Sequence, residues 1–266
     1  MNEELTRMVE PEIIKMGVGQ RIIALFTAPS ELMRNIKAYP VILVPFLLAL
    51  VLGLITIVPA RQATQLANQE LSHIFIERYG AGVDNPFDVA SLADEYGESI
   101  VSEGFIDAVT MVTLVFSAVF MPFIVSLLAG LGFFILSKIM RGPVKFGQMF
   151  SMYMHIYVIT ALGALVTSLL ISLTGSIVDI TSLAAVVTPN GRLDEVSYNV
   201  FASIAVFPVW ATILSFIGVK ILNDFSAIKA GIAAGIVYIS VVAVNVIAVM
   251  STWWVYDAFM AAEAMQ

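Results

Sequence analysis

FIDAVTMVTLVFSAVFMPFIVSLLAGLGFFILS, residues Phe105–Ser137, carries a single ionisable side chain, Asp107, and runs directly into the basic turn that ends Arg141-Gly142-Pro143-Val144-Lys145. A bilayer core needs about 20 mostly apolar residues in helical form, so this stretch is long enough to cross one. Four further runs have the same character: Tyr39–Pro59, Phe146–Val178, Tyr198–Val219 and Ala230–Trp254. Together they predict an all-α, polytopic helical bundle with five transmembrane helices. The chain is 59% hydrophobic and only 12% charged, with a mean hydropathy of +0.94. That is far more apolar surface than a soluble fold of this length could bury.

Charge orients the bundle. Arg7, Lys15, Arg21, Arg34 and Lys37 precede the first run; Lys138, Arg141 and Lys145 lie between the second and third; Lys220 and Lys229 lie between the fourth and fifth. The alternate segments hold only Arg61, Arg78 and Arg192. By the positive-inside rule the amino terminus is cytoplasmic and the carboxyl terminus is extracytoplasmic. The net charge of −7 divides between two faces. Ten basic and six acidic residues give the cytoplasmic segments +4, whereas three basic and fourteen acidic residues give the outer segments −11. The +4 face suits anionic lipid headgroups. The chain opens Met1-Asn2-Glu3-Glu4 without a basic leader, so the first span is expected to act as an uncleaved anchor. Cysteine is absent, which excludes disulfides, thiol nucleophiles, thiolate metal sites and lipidation on Cys.

The expected organisation is an arm over residues 1–38, a five-span membrane domain over 39–254 with an acidic outer loop at 60–104, and a short outer tail at 255–266. In the arm, Ile13, Ile14, Ile22, Ile23, Leu25 and Phe26 mix with Lys15 and Arg21, a pattern for a helix lying in the interface, broken at Gly17 and Gly19. Pro29 suits the first position of a new helix, with Glu31 in its first turn and Leu32, Met33 and Ile36 on one face. Arg61–Arg78 has the composition to extend the first span past the bilayer. Gly80, Gly82 and Asn85-Pro86 make a turn, and Asp88–Glu103 an acidic helix. The second and third runs, at about 45 Å each if straight, outreach a ~30 Å hydrocarbon core. Each is therefore one tilted or kinked helix, with Pro122 the kink in the second; a re-entrant half-helix is the alternative. Trp253, Trp254 and Tyr256 suit the outer interface.

Candidate residues are few. His155 lies inside the third run, where an ionisable group either relays protons or sits neutral, bonded to a neighbouring helix. Asn245, deep in the fifth run, suits a hydrogen bond across a helix interface. Gly231 and Gly235, one turn after Ala227, form a small-residue ridge for internal packing or a dimer contact, and Ala164, Ser168 and Ser172 form another. Pro122 and Pro208 remove hydrogen bonds within spans, and Trp210 near Pro208 either fills the freed space or meets a substrate. Glu70, His73 and Glu77 share a helical face but lack a fourth metal ligand. No catalytic motif, phosphate-binding loop or nucleic-acid signature is present, so no catalytic, cofactor or metal residues are assigned.

The motifs Phe26-x-x-Pro29, Phe146-x-x-x-Phe150-Ser151, Pro208-x-Trp210-x-x-x-Leu214-x-x-x-Gly218-x-Lys220 and Phe225-Ser226-x-x-Lys229-Ala230 resemble the Yip domain family, the Ypt/Rab-interacting membrane proteins and their bacterial relatives. The resemblance covers about residues 25–252. It implies a non-enzymatic five-helix protein without cofactors. The long cytoplasmic region and Tyr-Gly-Pro-type motifs of the eukaryotic members are absent, so Rab-like GTPase binding is not carried over. A bacterial member in the cytoplasmic membrane is implied, acting as an accessory or scaffold through lipids, self-association or other membrane proteins, with ABC-type exporters a partner class the resemblance suggests. The reading from another class is a small transporter or channel, its path lined by His155, Trp210 and Asn245.

Overall fold

The computed structural model describes residues 13–79, 103–188 and 191–263. The turn expected from Gly80 and the acidic helix expected from Asp88 lie outside the described residues, as does the side chain of Asp107. Everything described is helix or connection, apart from one isolated antiparallel bridge between Ser182 and Ala205. In chain order the helices are α1 (Val18–Thr27), α2 (Pro29–Ala38), α3 (Leu43–Tyr79), α4 (Glu103–Ile139), α5 (Phe146–Thr174), α6 (Ala184–Val187), α7 (Val196–Ala202), α8 (Val206–Asn223) and α9 (Ala227–Glu263). Five of them, α3, α4, α5, α8 and α9, are long and apolar enough to cross a membrane.

The starts of α3, α5 and α9 and the ends of α4 and α8 meet at one end of the bundle, which therefore carries Lys37, Lys138, Arg141, Lys145, Lys220 and Lys229. We call it the basic end. Lipid is as apolar as the side chains, so close packing rather than the hydrophobic effect draws spans together there. Small residues mark the crossings. A Cβ at Gly53 would stand 3.1 Å from the Ala118 Cβ, joining α3 to α4. One at Gly130 would stand 3.0 Å from the Phe150 Cα, joining α4 to α5. The ridge Ala164–Ser168–Ser172 faces α3, where the Ser172 hydroxyl donates to the Pro59 carbonyl at 3.0 Å.

The long runs are single helices, and α3 continues from the first span to Tyr79 as its composition predicts, passing through Pro59. Three boundaries differ from expectation. The third run stops at Thr174 rather than Val178, because Gly175 takes the left-handed conformation (φ 68°) that closes a helix. The fourth run is not one helix from Tyr198: α7 ends at Ala202 and the crossing restarts at Val206. The break is held from outside by Leu183 N–H donating to the Ile204 carbonyl and Val206 N–H to the Thr181 carbonyl. Asp179 in turn accepts from the backbone and hydroxyl of Thr181 at 2.8 and 2.7 Å. Finally, residues 255–263 of the expected outer tail are helical, since α9 runs on to Glu263.

The arm is the largest departure. Gly17 caps α1, Gly19 lies inside it, and Pro29 opens α2 as predicted. The pair does not lie across the basic end. It folds as a hairpin that runs along α8. Lys37 reaches Asp224 at 2.7 Å at the foot of α8, and the Phe26 ring meets the Trp210 edge at 5.9 Å. Trp210 is thirteen positions from Asn223, or about 20 Å up the helix. Leu25, Leu32, Met33 and Ile36 are buried against Met149, Met152, Ile156 and Leu214. An amphipathic stripe looks the same whether lipid headgroups or neighbouring helices cover it; here helices cover Leu25, Leu32, Met33 and Ile36, and Ile13, Ile14, Ile23 and Phe26 stay exposed.

Candidate functional site at the basic end

The polar residues that the apolar context makes most conspicuous converge where the arm meets α5 and α8. Arg21 is 3% exposed, although it is charged. Its Nη2 donates to the Asn35 Oδ1 at 2.7 Å and to the Tyr39 carbonyl at 2.9 Å, and its Nε donates to the Met16 carbonyl at 3.3 Å. Tyr39 is the residue that ends α2, so the guanidinium also sits at the negative end of a helix dipole. Burial holds its pKa below the usual arginine value. Asn35 closes the loop: its Nδ2 donates to the Ile14 carbonyl at 2.8 Å and its Oδ1 also accepts from Met16 N–H. Among the described residues no carboxylate joins this set, and the acceptors of the guanidinium are carbonyl oxygens.

Two residues of α5 take hold of the segment that follows. Gln148 accepts from Lys145 N–H at 2.8 Å, capping the helix, and donates through Nε2 to the Lys37 carbonyl at 2.6 Å. The Ser151 hydroxyl donates to the Val41 carbonyl at 2.7 Å and accepts from Val41 N–H at 3.0 Å. On the next turn, His155 is 4% exposed. Its Nδ1 lies 2.7 Å from the Ser151 carbonyl, which can only accept, so the neutral ring carries its proton on Nδ1. Its partner is thus its own helix and not a neighbouring one, and Nε2 has no hydrogen-bond partner among the described residues. The Arg21 Nη1 and the Asn223 Oδ1 are likewise buried without one. Asn223 donates to the Ser137 hydroxyl at 3.1 Å, tying α8 to α4, and packs so closely on Gly142 that no Cβ fits there.

The other singled-out residues fall as follows. Gly218 is buried between arm and bundle; a Cβ would overlap Met152, with Met152 Cγ at 2.9 Å and Met33 Sδ at 3.1 Å. Lys220 is exposed, but its carbonyl accepts Phe225 N–H at 3.0 Å, closing the turn after α8. Lys229 sits over the Phe225 ring at 5.5 Å. Trp210 packs on Phe26. Pro208 is not a mid-span breaker: it stands in the first turn of α8, where its missing N–H costs nothing. Pro122, inside α4, is buried and borders a cavity of about 210 Å³ between α3, α4 and α5. Gly231 and Gly235 do not pack internally. Nothing lies within 4 Å of a Cβ at Gly235, and only the Phe216 ring, at 4.0 Å, approaches one at Gly231. Asn245 makes no hydrogen bond across a helix interface; it lines a second cavity.

At the opposite end a charged cluster clamps α3 to α9 and to the α6–α7 connection. Arg78 meets Asp257 at 2.6 Å and Asp194 at 3.3 Å, and Arg192 meets Glu77 at 2.7 Å and Asp194 at 3.0 Å. Neighbouring carboxylates hold the Arg192 pKa above its usual value. Glu77 is thereby engaged with arginine. Among the described residues no group of three His, Cys, Asp or Glu is placed to hold a metal.

The sequence reading leaves Asn35, Gln148 and Asn223 unmentioned, and it names Arg21 only as part of the basic arm and Ser151 only within a family motif. The available signal was a lone arginine in Gln20-Arg21-Ile22-Ile23-Ala24-Leu25-Phe26, a context in which a surface charge is out of place. No curated protein and no solved structure matches the chain. The description Yip1 domain matches residues 23–250, from the middle of α1 into α9, so α2 and the spans α3, α4, α5 and α8 lie within it, while Arg21 lies just before it. The chain belongs to the Yip1 domain family of membrane proteins.

Proposed function

We propose that this protein is a non-enzymatic accessory or scaffold of the bacterial cytoplasmic membrane, with its basic end in the cytoplasm and its acidic end outside. It works through helix–helix and lipid contacts with other membrane proteins, a membrane export system among them. The observation that carries this reading is how polar groups and surface are divided. Arg21, Asn35, Gln148, Ser151 and Asn223 are spent on fastening the arm and the spans to each other. The most apolar window of α9, by contrast, is only 11% buried and presents Ile232, Ile236, Ile239 and Val244 outward. Chemistry would demand convergent reactive groups, and an open helix face offers contact area instead. Of the residues expected to line a transporter's path, Asn245 borders the second cavity described above, while His155 and Trp210 border neither of the two.

The test is photocrosslinking in native membranes from positions 232, 239 and 244, with mass-spectrometric identification of what is captured. A discrete, stoichiometric membrane-protein partner is expected. Capture of lipid alone, together with a proton-coupled flux in liposomes that His155→Ala abolishes, would replace this reading with a transporter.

A further inference from the structure

The arm hairpin is anchored at its base among the charges of the basic end. Gln148, one turn past Lys145, holds the Lys37 carbonyl, Lys37 meets Asp224, and Arg21 holds the Tyr39 carbonyl. From that base the hairpin rises along α8. The Met33 Sδ stands 3.1 Å from a Cβ built at Gly218, and the Phe26 ring meets Trp210. No ionisable side chain lies between Lys220 and the start of α8 at Val206, so this is the part of α8 that runs through hydrocarbon. Trp210 is ten positions beyond Lys220, about 15 Å, and Phe26 is five positions beyond Arg21, about 8 Å. The two routes bracket the hairpin tip at roughly 8–15 Å into a leaflet whose hydrocarbon is about 15 Å deep.

α1 is the outer of the two arm helices, since it packs chiefly on α2, which packs on α8 and α5. Its outer side is apolar: Val18, Ile23 and Phe26 are 54, 64 and 40% exposed. Beyond Gln20 that side holds one polar group, the Thr27 hydroxyl, and it donates to the Ile23 carbonyl at 2.9 Å. Nothing there is left unsatisfied in hydrocarbon, and nothing is free to specify a protein partner. The polar side of the hairpin belongs to α2, where Ser30, Glu31 and Arg34 are exposed. Glu31 and Arg34 are oppositely charged neighbours one turn apart, the arrangement that charges inside a leaflet require. Lys37, Lys145 and Lys220 stand at the base, level with lipid phosphates.

We propose that the arm is a membrane-embedded hairpin that enters the leaflet at the basic end tip first, where acyl chains of that leaflet cover Ile23 and Phe26 and Val18 marks the headgroup boundary. Positive charge at the base and apolar side chains above it match the two parts of a phospholipid. The chain thus enters the membrane before its first crossing. The inference stands apart from the scaffold reading, which concerns α9.

The experiment uses the full chain, which has no cysteine of its own, with Val18→Cys or Ile23→Cys as a single site for a bimane label. Both sites are exposed, so a label displaces no packed side chain, and helical content by circular dichroism should match the parent. Each protein is reconstituted alone in phosphatidylethanolamine–phosphatidylglycerol vesicles that carry doxyl groups either near the lipid head or midway along the acyl chains. The Ile23 label should be quenched by doxyl lipid and spared by aqueous iodide. It should read about 7.5 Å deeper than the Val18 label, the rise of five helical residues. Equal, shallow depths overturn the proposal, because they describe an arm lying flat in the interface. Iodide quenching at Ile23 also overturns it and places the hairpin in water. An Ile23 label that neither quencher reaches overturns it as well, assigning that face to a second copy of the chain.

Discussion

Replacing Arg21 by Met removes the charge that fastens the arm while keeping much of the side chain's bulk. Two short bonds are lost, at 2.7 Å to Asn35 and 2.9 Å to the Tyr39 carbonyl; the 3.3 Å bond to Met16 counts for less. Hydrogen bonds from a charged group contribute about 1.5–3 kcal/mol each, so the gross loss is about 3–6 kcal/mol. Against this stands the relief of no longer burying a charge, a penalty of several kcal/mol before compensation. A net loss of about 2–3 kcal/mol is expected, which raises the equilibrium constant for arm undocking roughly 30- to 150-fold. The chain has no cysteine, so a single reporter is clean. Met33→Cys places a thiol on the fully buried face of α2, where alkylation requires the hairpin to lift. In that background Arg21→Met should speed alkylation by the stated factor. Arg21→Lys should fall between, because an ammonium cannot reproduce the guanidinium fork. An alkylation rate within about threefold of the parent would refute the claim that Arg21 holds the arm, since about 0.7 kcal/mol is too little for two charged bonds.

Three further outcomes follow from the same geometry. Gly218→Ala should destabilise the bundle by about 1–3 kcal/mol in denaturant titration, because the new methyl meets Met152 and Met33, and the double variant with Met33→Ala should lose less than the sum of the two single losses. Gly235→Leu should leave stability within about 0.5 kcal/mol of the parent, since its side faces away from the other helices; a large loss would show a packed interface there. Single cysteines at Lys145 and at Arg192 should react with a membrane-impermeant thiol reagent from opposite sides of intact cells, Arg192 from outside, and reactivity from the same side would overturn the orientation read from charge.

Some of this architecture is legible one residue at a time. Phe105–Ser137 reads as a crossing because no neighbour is needed to know that such a run must leave water. Pro29 reads as a helix start because its ring sets its own backbone angle. Other features look identical in sequence whatever the fold does with them. The Gly231–Gly235 ridge permits close approach but does not supply the helix that approaches. Pro208 reads as a mid-span breaker until the fold starts α8 only two residues earlier. Asn245 needs a partner by chemistry, and its position on α9 gives it a cleft in place of a neighbouring side chain.

The sequence by itself determined that this chain is a membrane bundle of five crossings and that its positive charge is gathered between alternate pairs of them. Both follow from transfer free energy, which each segment experiences independently of the others. Only the tertiary structure decided that the first helices form a hairpin packed along α8, and that Arg21 is the buried charge fastening it. The same apolar stripe is satisfied by lipid or by protein. The choice between them rests on shape, on where Gly218 leaves room for Met33 and where the Tyr39 carbonyl ends up facing a guanidinium eighteen residues before it in the chain.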